Sequence, residues 1–442
     1  MGLLQLESYI KIDMERVSTL TLRLWANKVL VLFFSLFILL IFLRFYDLDI
    51  KTPFGFDQVN NAWAAKNIIV NHEFPLLGFQ AKVNSGIYIG PYYYYLIAIV
   101  YFLTNLNPIA SGIIAGITSI FTFLTLFYIS KKLFFVNVAL IAVFLNTVSV
   151  FAINFDRAQS LVNFIPSIAL IIFLSLYKII TGNPRFILLL ALAFGFSLHI
   201  HITAIYFPII ILLCLPFFPR TKETLKYIFL SIPIFLFFLF PMVIAFLQNA
   251  RHASDAINYG NTYFHGFHLK RVMQLTNDAF IQLELYFNYS NVIKHLKFIL
   301  IPLFISLYLY KNISKDKLLL CYLVLLWFMV PWLVLSTYSG EISDYYYSTN
   351  RFIALLIIAY LVSKTFQLRN IATKVTIISL LIFYMAFNLQ KFFLSKVTDN
   401  LKDKINSVQK TIKKGGEIGF YEGVPESYLY YYYMRKKGKE VY

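Results

Sequence analysis

Charge is scarce in this chain. Charged residues make up 14% of the sequence against 59% hydrophobic ones, and mean hydropathy is +0.70, whereas a soluble globule carries roughly a quarter charged residues. A soluble fold is excluded and a polytopic membrane protein follows. The alternating pattern of a membrane β-barrel is also absent, so the spans are helical. Cysteine is nearly lacking: Cys214 and Cys321 both lie in apolar runs, where a thiol packs as a small hydrophobe, and no disulfide framework is implied. No inverted internal repeat is visible and the apolar runs are almost free of charge, which argues against a transporter or lipid flippase with polar, broken helices. Acidic residues are outnumbered, 21 against 39 basic ones for a net charge of +18. The basic residues sit in short clusters between apolar runs rather than in one domain, so they report membrane topology and no nucleic-acid partner.

Many of the apolar runs approach the roughly 20 residues that a helix needs to cross a bilayer. Spans are expected at 29–46, 109–130, 133–151, 163–180, 186–200, 203–218, 227–247, 297–310, 318–337, 351–363 and 375–388, about eleven in all. The first begins near Val29 after a charged amphipathic leader without a small-residue cleavage site, and reads as a retained span rather than a signal peptide. The apolar run 91–104 is shorter and reads as an interfacial or re-entrant helix. With that run on the outer surface, Lys131, Lys132, Lys178, Arg185, Arg220, Lys222, Lys226, Lys311, Lys315, Lys317, Lys364, Arg369 and Lys374 share a side with Lys11, Arg16, Arg23 and Lys28. The positive-inside rule then makes the N-terminus cytoplasmic and the C-terminus external, in a plasma or inner membrane. External segments are 47–107, 152–162, 201–202, 248–296, 338–350 and 389–442. The expected organisation is a membrane domain over 1–388 and a small external α/β domain over 389–442. In that tail, 394–414 reads as an amphipathic helix stopped by Gly415-Gly416, 417–421 as a strand and 426–437 as a second helix.

The long outer segment 47–107 holds Phe56-Asp57-Gln58 and the run Gly90-Pro91-Tyr92-Tyr93-Tyr94-Tyr95-Leu96. A carboxylate beside an aromatic, half-apolar segment at a membrane surface suits an enzyme that works on a lipid-linked sugar. Residues 56–108, FDQVNNAWAAKNIIVNHEFPLLGFQAKVNSGIYIGPYYYYLIAIVYFLTNLNP, resemble the first outer loop of the GT-C superfamily of membrane glycosyltransferases, of the bacterial protein-mannosyltransferase and aminoarabinose-transferase type. The family pattern is an acid just after the first span, an alanine-rich helix, Gly or His followed by Pro, and a juxtamembrane helix. Further likeness lies in NFDRAQSLVNFIP (154–166), SLHIHITAIYFP (197–208) and YYYSTNRFIALL (345–356). The resemblance implies an all-α GT-C bundle with outer juxtamembrane helices. It also implies a polyprenyl-phosphate sugar donor, a lipid, glycan or protein acceptor, and inverting transfer on the outer face. An O-antigen polymerase or ligase, joining larger glycans, is the neighbouring reading, and a non-enzymatic lipid or glycan transporter the more distant one.

Asp57 maps onto the family's catalytic acid, a general base that would take the proton of the attacking hydroxyl. As a favoured N-cap residue it would also start a helix near Gln58, which stands where many relatives carry a second acid. Departing phosphate gains charge as its bond breaks, so preorganised donors lower the barrier. Arg157, Arg351, His201 and Lys82 are the outward-facing donor-phosphate residues expected, with an ion pair to Asp156 as the plainer role for Arg157; the proline that usually follows the arginine of Arg351's motif is absent. His199 and His201 should fall on different sides of a helix. His265 and His268 have a helical spacing that could seat a divalent metal, but no carboxylate or cysteine completes a site, so no metal or other cofactor is expected. Tyr92–Tyr95, Tyr345–Tyr347 and Tyr430–Tyr433 form an interfacial belt, with a minority expected to touch substrate.

Overall fold

The computed structural model describes residues 27–442 apart from 83, 288–290, 369, 422, 440 and 442, with the backbone alone for 291–296. Lys11, Arg16 and Arg23 of the leader, and Arg369, lie outside the described residues. Among the described residues seven helices are long and apolar enough to cross a membrane: Asn27–Phe45, Ala110–Leu133, Leu161–Ile180, Lys222–Gln248, Lys315–Ser336, Asp344–Phe366 and Ile371–Leu394. An eighth forms if Val136–Val148 and Val150–Arg157 are taken as one span bent by 68°. The runs expected as spans at 186–200 and 203–218 carry the 12-residue helix Phe186–Ser197 and the helical stretch Ile202–Phe217, both short for a crossing, while that at 297–310 lies within the 19-residue helix Asn291–Leu309. Hydropathy counts apolar residues across a turn as if the helix continued through it. The chain bends at 198–201, which ends one helix early and carries His199 and His201 on a turn rather than on a helix. The run at 91–104 forms a 12-residue helix, Tyr92–Leu103, too short to cross.

Burial separates the roles of the spans. Leu161–Ile180 is 78% buried over its most apolar stretch and lies at the centre of the helical core, whereas Lys222–Gln248 is 11% buried and turns its apolar side chains outward. That outward surface is what lipid would cover.

The ends of the spans near Asp57 are tied by buried cations. The first span ends beside Arg44, fully buried, whose guanidinium donates to Asp156 at 2.8 and 3.1 Å and to the carbonyls of Asn146 and Thr147. Arg157 donates to the carbonyls of Leu43, Arg44, Tyr46, Asp47 and Lys51. It thereby satisfies the C-terminal carbonyls that a helix leaves without intrahelical partners, and its charge opposes their dipole. Lys51 does the same for the last span, donating to the carbonyls of Phe392 at 2.9 Å and Ser395 at 2.5 Å.

A second hydrophobic core begins at the ends of two spans, taking in Ile114 and Ile165, and joins the first outer segment to the tail. Phe54, Val59, Trp63, Tyr93 and Tyr101 from the former pack with Leu401, Val408, Tyr428 and Tyr431 from the latter. Backbone bonds reinforce the join: Leu401 donates to the Thr52 carbonyl and Phe54 to that of Asp399, both at 3.0 Å. The tail is helical, Leu401–Lys413 and Pro425–Lys436, and the strand expected at 417–421 is absent; no strand occurs among the described residues. A strand needs a partner ladder, and here Phe420 instead sets its ring edge-on to Trp63 at 5.0 Å while Ile418 packs on the same core. The first tail helix starts at Leu401, capped by Asn400, rather than at 394, because Leu394 ends the last span.

Candidate functional site

The helix that carries Asp57 spans Phe56–Val70. Its start is two residues earlier than an Asp57 cap requires: Gly55 occupies the cap position and Asp57 lies in the first turn. Gln58 supplies the capping interaction instead, accepting from the Gly55 N–H at 2.9 Å while its amide donates to the Gln159 carbonyl at 2.6 Å. The amide has both an acceptor and a donor to offer there, and a carboxylate has no donor. Asp57 is thus released from capping, and its carboxylate faces a cavity.

That cavity, of about 290 Å³, is built by five segments: Asp57 at the helix start, Phe79, Gln80, Ala81 and Ile89 from the rest of the first outer segment, Ser160–Val162, Ile200–Ile202 and Tyr345. Three stretches far apart along the chain, 154–166, 197–208 and 345–356, therefore each deliver residues to the hollow beside Asp57. Its wall is mixed, with Asp57, Gln80, Ser160, His201 and Tyr345 as polar groups among aliphatic ones. Asp57 is exposed to this hollow, yet the protein around it partly desolvates the carboxyl and pushes it up from the ordinary aspartate value, while the nearby Ser160 hydroxyl pulls partly back.

His201 caps the short turn that follows it, its Nδ1 accepting from the Thr203 N–H at 3.3 Å. That bond puts the imidazole hydrogen on Nε2. Burial lowers its pKa to about 4, with Lys82 as a second cause, so at neutral pH it offers an N–H and not a positive charge. Lys82 is the cation beside it. Its ammonium donates to the Glu341 carbonyl at 3.2 Å, lies 5.4 Å from the centre of the Tyr346 ring, and lines an apolar crevice with Ile202, Tyr206, Phe264 and Tyr338. Ile202 belongs to both hollows, so the crevice adjoins the Asp57 cavity.

Arg157 and Arg351 do not reach this cavity. Arg157 is 2% exposed and its guanidinium is engaged by the five carbonyls named above; the Asp156 carboxylate beside it pairs with Arg44 instead. Arg351, 4% exposed, donates to Gln282 at 2.8 Å and lies 3.8 Å from the centre of the Phe155 ring. Both arginines fasten loops to the bundle. A basic residue at a span boundary reads the same in sequence whether it faces a phosphate or a set of carbonyls, so sequence alone could not separate the two.

The tyrosines divide in a similar way. Tyr345 lines the Asp57 cavity and Tyr346 the adjoining crevice, whereas Tyr347 is fully buried and Tyr430 and Tyr431 belong to the second core. Tyr92 stacks on His199 at 4.3 Å and its hydroxyl donates to the Phe237 carbonyl at 2.7 Å. This is the carbonyl that Pro241, having no N–H, leaves without its helical partner. His199 accepts from the Tyr92 N–H through Nδ1 and donates through Nε2 to Phe238, and a Cβ at Gly90 would lie 1.9 Å from that ring. The Gly-Pro pair at 90–91 therefore serves the seating of a histidine. Ser160 and Gln80 were not singled out from sequence; nothing local distinguishes them from other loop residues.

His265 and His268 lie on a non-helical connector between Arg251–Tyr263 and Leu269–Leu275, because the backbone at Phe264 and His265 pairs with Thr337 and Tyr338. The expected helical spacing is lost. Among the described residues no group of three His, Cys, Asp or Glu side chains is placed to hold a metal ion.

Neither a family model nor a curated protein matches the sequence. Solved structures do match. ArnT from Cupriavidus metallidurans, bound to undecaprenyl phosphate, superposes with a TM-score of 0.55 at 10% identity over 92% of this chain and 75% of ArnT. The oligosaccharyltransferase AglB from Archaeoglobus fulgidus, in complex with an inhibitory peptide and a dolichol-phosphate, gives 0.53 at 12% identity over 91% of this chain. The chain spans about three-quarters of ArnT and 61% of AglB. It has the GT-C fold of polytopic membrane proteins.

Proposed function

We propose that this chain is an inverting membrane glycosyltransferase that moves a sugar from a polyprenyl phosphate to an acceptor on the outer face of the membrane. The observation that carries the reading is the Asp57 carboxylate, freed from helix capping and turned into a mixed polar cavity that adjoins an apolar crevice edged by Lys82. Two neighbours of the same fold were solved with lipid phosphates bound, undecaprenyl phosphate in ArnT and a dolichol-phosphate in AglB.

In this reading the prenyl chain lies along the crevice, and the phosphate sits where crevice and cavity meet. Lys82 supplies charge to it and His201 a neutral N–H. As the bond from the anomeric carbon to the phosphate oxygen breaks, negative charge grows on the leaving phosphate, where these fixed donors count most. The acceptor hydroxyl attacks from the Asp57 side and gives up its proton to the carboxylate. One displacement inverts the anomeric centre. Arg157 and Arg351 are assigned to holding the loops that shape the cavity, in place of phosphate contact. With the Asp57 end outside, the basic clusters at the far ends of the spans face the cytoplasm.

The test is replacement of Asp57 by Asn in the gene's host. Glycan transfer is expected to cease, lipid-linked sugar to accumulate, and the protein to insert and fold as before. Cell-surface glycan indistinguishable from the parent strain would refute the reading.

A further inference from the structure

At the end of the bundle away from Asp57, three lysines converge on one hollow. Lys311 follows the helix Asn291–Leu309, Lys317 lies in the first turn of Lys315–Ser336, and Lys364 in the last turn of Arg351–Phe366. They line a cavity of about 260 Å³ whose other walls include Phe134, Phe135, Tyr308 and Tyr360. No carboxylate forms an ion pair with any of the three among the described residues, although Asp316 adjoins Lys317 in sequence. Their hydrogen bonds go to neutral oxygens, Lys317 to the Asn312 carbonyl at 2.8 Å and Lys364 to Gln367 at 3.4 Å.

Like charges gathered around a concave site repel one another, and an anion placed among them removes that cost. The rings give the site a second character. Lys317 lies 5.5 Å from the centre of Tyr308, and Lys364 5.4 Å from that of Tyr360, so each ammonium sits over an aromatic face. The site is at the ends of two spans, the depth at which a bilayer carries its phosphates, and Leu307 beside it is 40% exposed.

We propose that Lys311, Lys317 and Lys364 form a binding site for the phosphate of an anionic membrane lipid, with the aromatic wall against its glycerol and upper acyl carbons. A lipid is favoured over a water-borne phosphate because that wall is apolar and borders the lipid-facing surface. The site is separate from the glycosyl-transfer reading and does not depend on it.

Native mass spectrometry of the full chain in detergent, titrated with phosphatidylglycerol or phosphatidylcholine, tests this. One phosphatidylglycerol is expected to be retained about tenfold more tightly than phosphatidylcholine. The combined exchange K311Q/K317Q/K364Q should erase the preference, while K131Q/K132Q/K178Q, the same change of charge at the same end, should keep it. Equal loss in both variants would reduce the site to diffuse surface charge and overturn the proposal, as would equal retention of the two lipids by the parent protein. Inorganic phosphate alone raising Tm as much as phosphatidylglycerol does would overturn the lipid assignment. If the triple variant does not fold, K364Q alone must show a partial loss of preference, and its absence counts against the site.

Discussion

A single carboxylate carries the proposed chemistry, and its surroundings set the pH at which it works. Partial desolvation by the cavity wall raises the Asp57 pKa while the Ser160 hydroxyl holds it down by favouring the ionised form. The acid limb of kcat/KM should therefore lie above the ordinary aspartate value of about 4. Ser160→Ala removes the opposing bond, so the limb should move to higher pH, with activity recovered on the alkaline side; a uniform drop at every pH would contradict this. The same raised pKa has a sign for stability. The folded state binds the proton more tightly than the unfolded one, so stability falls as pH rises from the unfolded pKa through the folded one, and an Asn at 57 should cost the fold nothing at neutral pH. Asp57 itself was legible in sequence because its neighbours follow a recognisable local pattern. Ser160 and Gln80 were not, since their relevance arises only when distant stretches meet.

Helices and their ends account for the next level. Arg157 donates to five carbonyls around the end of the first span. Arg157→Gln leaves most of them without a partner, at about 1–3 kcal/mol for each buried group, so a large fall in Tm in detergent is expected. In protein that survives, KM for the lipid-phosphate donor should stay near the parent value; a raised KM with unchanged Tm would return Arg157 to the phosphate. The long apolar elements were readable from hydropathy, as were both tail helices to within several residues. Turns inside apolar runs were not, because the bend at 198–201 is made by seating two histidines and by Gly90 rather than by any break in hydrophobicity. Nor was the irregular 417–421 stretch, where Phe420 packs on Trp63 and Ile418 on the second core without forming a ladder.

As a whole the described residues form two large cores, one among the spans and one shared by the first outer segment and the tail, with a small third cluster of Leu43, Ile153 and Phe392. Leu429 is fully buried in the second. Leu429→Ala should cost about 2–5 kcal/mol, and the damage should appear on both sides of the shared core. Limited proteolysis is expected to cut within 71–90 as readily as within the tail while the spans stay protected; cleavage confined to the tail would show the two to be independent. The expected division at 388 falls inside the helix Ile371–Leu394, and hydropathy gave no sign of the pairing above it. Such pairing depends on residues such as Val59 and Tyr428 that lie at opposite ends of the chain.

The join between residues 52–54 and 399–401 also has a bearing on timing. A ribosome makes the stretch around Asp57 early and the residues that brace it last, and contacts so distant in sequence form late. On the proposed reading, the Asp57 carboxylate waits through the insertion of every later span, and transfer begins only once the stretch 399–401 and the helices after it have docked on the first outer segment.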